Sequence, residues 1–294
     1  MQKPVQIVTG NLAGEIKRSF QVFQDANMEN PYEEITIEGK EEAIKFINPH
    51  TLLIMVDHHR SQLCSLPELI DLVPNKIIID HHRRSKDIVA NVPLIYQEPS
   101  SSSTSEMITE LFPYFDENLE LTKLEATYLY NGIMLDTKKF TVQTGERTFE
   151  AAAFLRRSGA NLQVANEIFA EKFDNLRIKA KLLADSRLIA PNFSLAVNKN
   201  MENNQYSSVI ASQIADEMVQ SSEIHGACVI TEYKDGGCSL NARSDGNKFN
   251  VQIMMEALGG GGHQLAAACQ MPDKNAKEAE ALLLAEINKQ MEEK

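Results

Sequence analysis

Ile77-Ile78-Ile79 runs directly into Asp80-His81-His82-Arg83-Arg84. A short β-branched run that ends in a polar burst predicts a buried parallel strand delivering side chains at its carboxyl end. The same device occurs earlier, where Leu52-Leu53-Ile54-Met55-Val56 leads into Asp57-His58-His59-Arg60. Few folds place two such strand ends together. An open α/β sheet does, and it puts its chemistry at that edge. Asp and His side by side suit a hard or borderline divalent metal such as Mn²⁺. The plainer reading is that each Asp caps the next helix and the histidines are solvated. It covers one such burst more easily than two.

The rest of the chain supports an α/β class. Val5 to Thr9 reads as a first strand and Ile16, Phe20 and Phe23 as one helix face. Glu34 to Ile37, Thr51 to Val56, Lys76 to Ile79 and Pro93 to Tyr96 read as further strands, with a helix over Glu41 to Ile47. This alternation predicts a mainly parallel, doubly wound sheet. Leu124 to Leu135 is helical and apolar, and ends in Asp136-Thr137-Lys138-Lys139-Phe140. Its terminal carboxylate is a third candidate ligand position. Helices are expected over Arg147 to Arg156, Leu162 to Phe169 and Asn175 to Arg187.

Composition shifts near Ala190-Pro191-Asn192. We expect a domain over 1–160, a helical connector over 161–192 and a smaller α/β domain over 193–294, with a cleft between the domains. In the second domain, Ala227 to Glu232 and Cys238 to Arg243 read as a hairpin around Asp235-Gly236-Gly237.

Three further stretches could bind an anion. Ser100 to Thr104 is an unbroken hydroxyl run before a helix, either an N-cap or a set of donors aimed at phosphate. Gly259-Gly260-Gly261-Gly262-His263 either ends a helix loosely or forms an amide nest beside an imidazole. Arg243-Ser244 closes a strand with a bidentate oxyanion partner. The net charge of −12 opposes any general grip on duplex nucleic acid, so a phosphate ligand must be held locally. The four cysteines form no CxxC pair and read as reduced thiols of a cytoplasmic protein. No apolar run approaches membrane-spanning length, although the chain could be a soluble piece of a tethered protein.

Taken in order, Asp57, Asp80-His81-His82, Asp136-Thr137-Lys138, Asn241-Ala242-Arg243-Ser244 and Gly259 to His263 resemble the DHH phosphoesterase family with its DHHA1 substrate domain. Within it they resemble the catalytic portion of bacterial cyclic di-AMP phosphodiesterases. The resemblance implies Mn²⁺-dependent hydrolysis of cyclic di-AMP or short oligonucleotides by metal-activated water. It implies that Asp57 bridges two metals, that His81 and Asp136 hold the second, and that His82 faces the substrate phosphate. Ser102, Ser103, Thr104, Arg243, Ser244, Gly260, Gly261, Gly262 and His263 would then bind substrate. It also leaves room for a homodimer.

One motif departs from the family. After the first strand the family carries a His, then an Asp, then a second Asp two positions on. Here Asn11, Glu15 and Lys17 stand in those places. Asn is a poor Mn²⁺ ligand, Glu15 could still reach a metal, and Lys17 brings a cation to a cation's place. The departure implies one tight Mn²⁺ rather than two. It keeps a second reading open, a pseudoenzyme that binds nucleotide without efficient turnover.

Overall fold

The computed structural model describes residues 4–292 except 10–13, 27, 29–31, 33, 116–117, 172 and 202–204. The chain divides into two compact units, residues 1–170 and 171–294.

Unit one runs β1 (Ile7–Thr9), α1 (Gly14–Asp25), β2 (Thr36–Glu38), α2 (Lys40–Ile44), β3 (Leu52–Val56), α3 (Glu68–Leu72) and β4 (Asn75–Asp80). It continues with β5 (Leu94–Gln97), α4 (Thr104–Leu111), α5 (Lys123–Asp136), α6 (Glu146–Arg157) and α7 (Leu162–Ile168). All its strands pair in parallel, as the alternation predicts. They fall into two sheets rather than one, β1-β2 and β3-β4-β5. The isoleucines of β4 explain its central place. Ile78 is fully buried and packs with Met55, Ile70 and Val89. Burial of one such side chain is worth about 1.5–3 kcal/mol. Helix α5 starts from a reciprocal cap, in which Thr122 Oγ1 accepts from the Glu125 amide and Glu125 accepts from the Thr122 amide.

Unit two runs α8 (Phe173–Ala184), β6 (Arg187–Ala190), β7 (Phe193–Met201), α9 (Gln205–Met218), β8 (Gly226–Tyr233) and β9 (Cys238–Ser244). Then come α10 (Val251–Ala257), β10 (Gly261–His263), β11 (Ala266–Met271) and α11 (Ala276–Glu292). One six-stranded sheet has the order β10-β11-β9-β8-β7-β6, with only β7 and β8 parallel. Helices α8 and α9 cover one face through Leu182, Ile210 and Ile214. Helices α10 and α11 cover the other through Met254, Met255 and Leu283. The helix expected over Asn175 to Arg187 stops at Ala184. Ser186 turns its hydroxyl back to the Leu183 carbonyl, and Arg187 begins a strand paired with Leu195.

The glycine run has a packing reason. Gly259 has φ 85° and ends α10, and the next glycines enter β10 against β11. A Cβ on Gly260 would lie 2.2 Å from the Ala268 carbonyl oxygen, and one on Gly262 would lie 2.5 Å from that of Ala266. Both atoms are backbone and cannot swing aside. Gly260→Ala should therefore destabilise unit two by roughly 1–3 kcal/mol, the cost of overpacking, read as a lower urea midpoint. An unchanged midpoint would show that β11 gives way freely.

Candidate metal centre

Strands β3 and β4 lie side by side with Val56 opposite Ile79. The Asp57 amide donates to the Ile79 carbonyl at 2.9 Å, so the two strand ends are level. Asp57 turns out of β3 with φ 66°. Asp is one of the few non-glycine residues that adopt this region at modest cost. Thr104, at the start of α4, donates its hydroxyl to Asp57 Oδ1 at 2.9 Å. His81 follows β4, and its Nε2 lies 3.4 Å from Asp57 Oδ1 and 3.7 Å from Asp136 Oδ2. Asp136 is the last residue of α5. The helix is halted behind it by three successive left-handed residues, Lys138, Lys139 and Phe140, with φ 46°, 60° and 64°. Such residues cost of order 1–3 kcal/mol each and are kept where surrounding structure demands them. Here they end α5 with its carboxylate at the centre.

Three of the expected ligands, Asp57, His81 and Asp136, can therefore be placed, and His82 stands beside them. Ligand atoms of Asp57, His81 and His82 all lie within 4.8 Å of one another, and Asp136 approaches His81 from α5. The His81 separations are long for hydrogen bonds. Two donors bound to one ion at about 2.1 Å stand about 3.0–3.4 Å apart in octahedral or tetrahedral sites. The His81–Asp57 separation is near that of ligands around a small divalent ion, and the His81–Asp136 separation is slightly longer. With carboxylate and imidazole donors, the residues fit a hard or borderline divalent ion. Burial and the facing Asp57 push the Asp136 carboxyl above its ordinary range, against the pull of His81 and His82. A cation would relieve that repulsion.

The two doubled motifs divide their labour. His81 and His82 turn to the cluster, while His59 turns inward. His59 is 2% exposed, and its Nδ1 lies 2.5 Å from Asp80 Oδ2. The His58 Nδ1 pairs with the Val56 carbonyl of its own strand. Asp80 is fully buried and binds His82 Nδ1 at 2.7 Å through Oδ1. Burial pushes its carboxyl up, but the bonds from His59 and His82 outweigh that and hold it below the usual range.

The hydroxyl candidates separate in the same way. Ser103 caps α4 by accepting from the Glu106 amide, and Ser102 donates to Glu106 Oε2 at 2.5 Å. Both serine hydroxyls close the helix start and are buried; Thr104 alone of the three reaches a ligand carboxylate. In unit two the Ser244 hydroxyl donates to the Gln264 carbonyl at 3.1 Å. Arg243, Ala266 and His263 stand in one cross-strand row, so they share a sheet face. Arg243 Nε is 3.3 Å from Asp216 Oδ2 on α9, and His263 is exposed. Asp216 lies in an otherwise ordinary amphipathic helix, and no spacing in the sequence points to it.

Of the altered first motif, Asn11 lies outside the described residues, as does the Glu15 side chain. Lys17 is described. Its ammonium lies 3.9 Å from Glu38 at the end of β2, and the side chain is 61% exposed.

Unit one thus presents Asp and His at adjacent ends of a parallel sheet, and the chain carries a second α/β unit. Profiles of the DHH family N-terminal domain and the DHHA1 domain match residues 16–133 and 193–293. The chain belongs to the DHH family. It is 40% identical to the cyclic-di-AMP phosphodiesterase GdpP of Geobacillus thermodenitrificans, over 84% of this chain and 37% of that protein. It is 36% identical to the cyclic-di-AMP phosphodiesterase PdeA of Listeria monocytogenes, over 97% of this chain and 42% of that protein. The chain thus spans well under half the length of these two relatives. An exopolyphosphatase-related protein from Bacteroides fragilis shares the fold, with a TM-score of 0.75 at 18% identity over 97% of this chain and 92% of that one. Among the described residues no helix is long and apolar enough to cross a membrane.

Proposed function

We propose that this chain is a metal-dependent phosphodiesterase that hydrolyses cyclic di-AMP or a short oligonucleotide such as pApA. The observation that carries the reading is the approach of Asp57 and Asp136 to one imidazole nitrogen of His81, at 3.4 and 3.7 Å. Asp57, His81 and Asp136 would hold the ion, which we take to be Mn²⁺. A divalent ion there would make water available as hydroxide near neutral pH and would offset the charge that develops on the phosphate. The chain's own groups do the rest. Thr104 fixes the Asp57 carboxylate through the bond to Oδ1. His82, held by Asp80 through Nδ1, offers its Nε2 to the same ion. Within unit two, Arg243 and His263 are the groups we assign to the nucleotide, with Asp216 3.3 Å from the Arg243 guanidinium. The activity of these relatives supports cyclic di-AMP as the first substrate to try.

The test is release of pApA or AMP from cyclic di-AMP and from pApA, with and without Mn²⁺, beside calorimetric binding of each nucleotide. Mn²⁺-dependent turnover is the expected result. Tight nucleotide binding with no turnover at any Mn²⁺ concentration would favour the second reading, a nucleotide-binding pseudoenzyme. The feature behind that reading is Asn11, Glu15 and Lys17 in place of the family's first ligands. Under either reading Arg243→Ala should weaken nucleotide binding by roughly 1.5–3 kcal/mol, the scale of a hydrogen bond to a charged group. Unchanged affinity in a folded variant would remove Arg243 from the site.

A further inference from the structure

We infer that His59 is a positioning residue of the metal centre, acting through Asp80 to fix the tautomer and aim of His82. The inference rests on the reading of the Asp57–His81–His82–Asp136 cluster as a metal site. His59 is 2% exposed and Asp80 fully buried, so neither reaches substrate. The hydrogen bonds fix the proton positions on His59. The Ser85 amide can only donate, and it points at His59 Nε2 at 3.1 Å. Nε2 is therefore the bare nitrogen, and Nδ1 carries the hydrogen that His59 donates to Asp80 Oδ2 at 2.5 Å.

The other oxygen of the same carboxylate serves His82. Asp80 Oδ1 accepts from the His82 amide at 3.1 Å and lies 2.7 Å from His82 Nδ1. A carboxylate accepts and cannot donate, so His82 Nδ1 carries a hydrogen as well. In the neutral ring Nε2 is then the nitrogen without hydrogen, the form in which imidazole can bind a metal. Gln97 supports the arrangement by donating its amide to the His82 carbonyl at 2.8 Å. The carboxylate is thus clamped on both oxygens. His59 holds the inner one, and without it the carboxylate could rotate away from His82. Outer partners of this kind fix the orientation of a metal-binding His.

The test compares His59→Leu, which removes the donor, with His59→Asn, which keeps an N–H of shorter reach. Nitrogen-15 imidazole spectra of the metal-free protein read the tautomer directly. In the unmodified chain His82 should be a single Nδ1–H tautomer. In His59→Leu it should become a mixture of both tautomers, and in His59→Asn it should return toward one. Calorimetric Mn²⁺ affinity should fall about 10–100-fold in His59→Leu, the usual loss for an outer partner, and recover in part in His59→Asn. A folded His59→Leu with one His82 tautomer and unchanged Mn²⁺ affinity would overturn the inference. If the unmodified chain binds no Mn²⁺, the metal reading fails, while the spectra still decide the role of His59.

Discussion

Asp57→Asn should keep the fold and lose the metal. Asn tolerates the left-handed backbone that position 57 requires at φ 66°. Its side-chain oxygen can still accept the Thr104 hydroxyl, now 2.9 Å away. What disappears is one negative charge facing Asp136. Mn²⁺ affinity should fall by more than about a hundredfold, beyond the 10–100-fold that loss of an outer partner costs. Hydrolysis should fall with it. Stability should move the other way. The Asp136 carboxyl titrates above its ordinary range, in part because Asp57 is charged. A carboxyl whose pKa is raised by folding weakens the fold at pH values above that pKa. Removing Asp57 should therefore stabilise the metal-free protein near neutral pH, by on the order of a few tenths of a kcal/mol at so exposed a position. The gain should fade as the pH falls through the carboxyl range. Urea unfolding at two pH values and Mn²⁺ calorimetry measure the two effects. A variant that still bound Mn²⁺ tightly would remove Asp57 from the centre.

Much of this arrangement is legible in the sequence because strands ending in polar bursts are a local pattern. Asp57, His81 and Asp136 each stand at an element's end, where an apolar run stops. Adjacent parallel pairing of β3 and β4 then brings the first two together. The hairpin of β8 and β9 is legible for the same reason, since Gly236 and Gly237 both take positive φ between two apolar runs. What the pattern does not separate is orientation. Asp57-His58-His59 and Asp80-His81-His82 look alike as strings, yet His59 is buried beneath Asp80 while His81 faces the carboxylates. That difference depends on neighbours farther along the chain, such as Ser85 on the His59 ring and Gln97 on the His82 carbonyl. Asp216 was not legible either. Its role depends on a helix crossing a sheet at Arg243, which no local spacing encodes. The glycine run was legible as a break, but its close approach to β11 is a tertiary fact.

Restoring the family's first motif should raise both the metal count and the rate. The triple variant Asn11→His, Glu15→Asp, Lys17→Asp replaces a poor ligand, a long one and a cation by three metal donors. In the unmodified chain we expect one tightly bound Mn²⁺, held by Asp57, His81 and Asp136. Lys17 leans toward Glu38, 3.9 Å away, and is largely exposed, so its charge bears on a second ion only weakly. The deficit of the first site is then mainly one of missing donors rather than of repulsion. Lys17→Ala alone should accordingly leave the metal count at one, whereas the triple variant should raise it to two. A second ion allows attacking and leaving oxygens to be clamped together. If that adds about 3 kcal/mol of transition-state stabilisation, hydrolysis of cyclic di-AMP rises roughly a hundredfold, at 1.36 kcal/mol per tenfold. Mass spectrometry under non-denaturing conditions counts the ions, and initial rates at saturating Mn²⁺ give the gain. Two tightly bound Mn²⁺ in the unmodified chain, with turnover in the ordinary range of about 1–1000 per second, would mean that other residues replace the lost ligands. A triple variant that took up the second ion without gaining rate would place the defect in how the nucleotide is held, and would turn attention to Arg243 and His263.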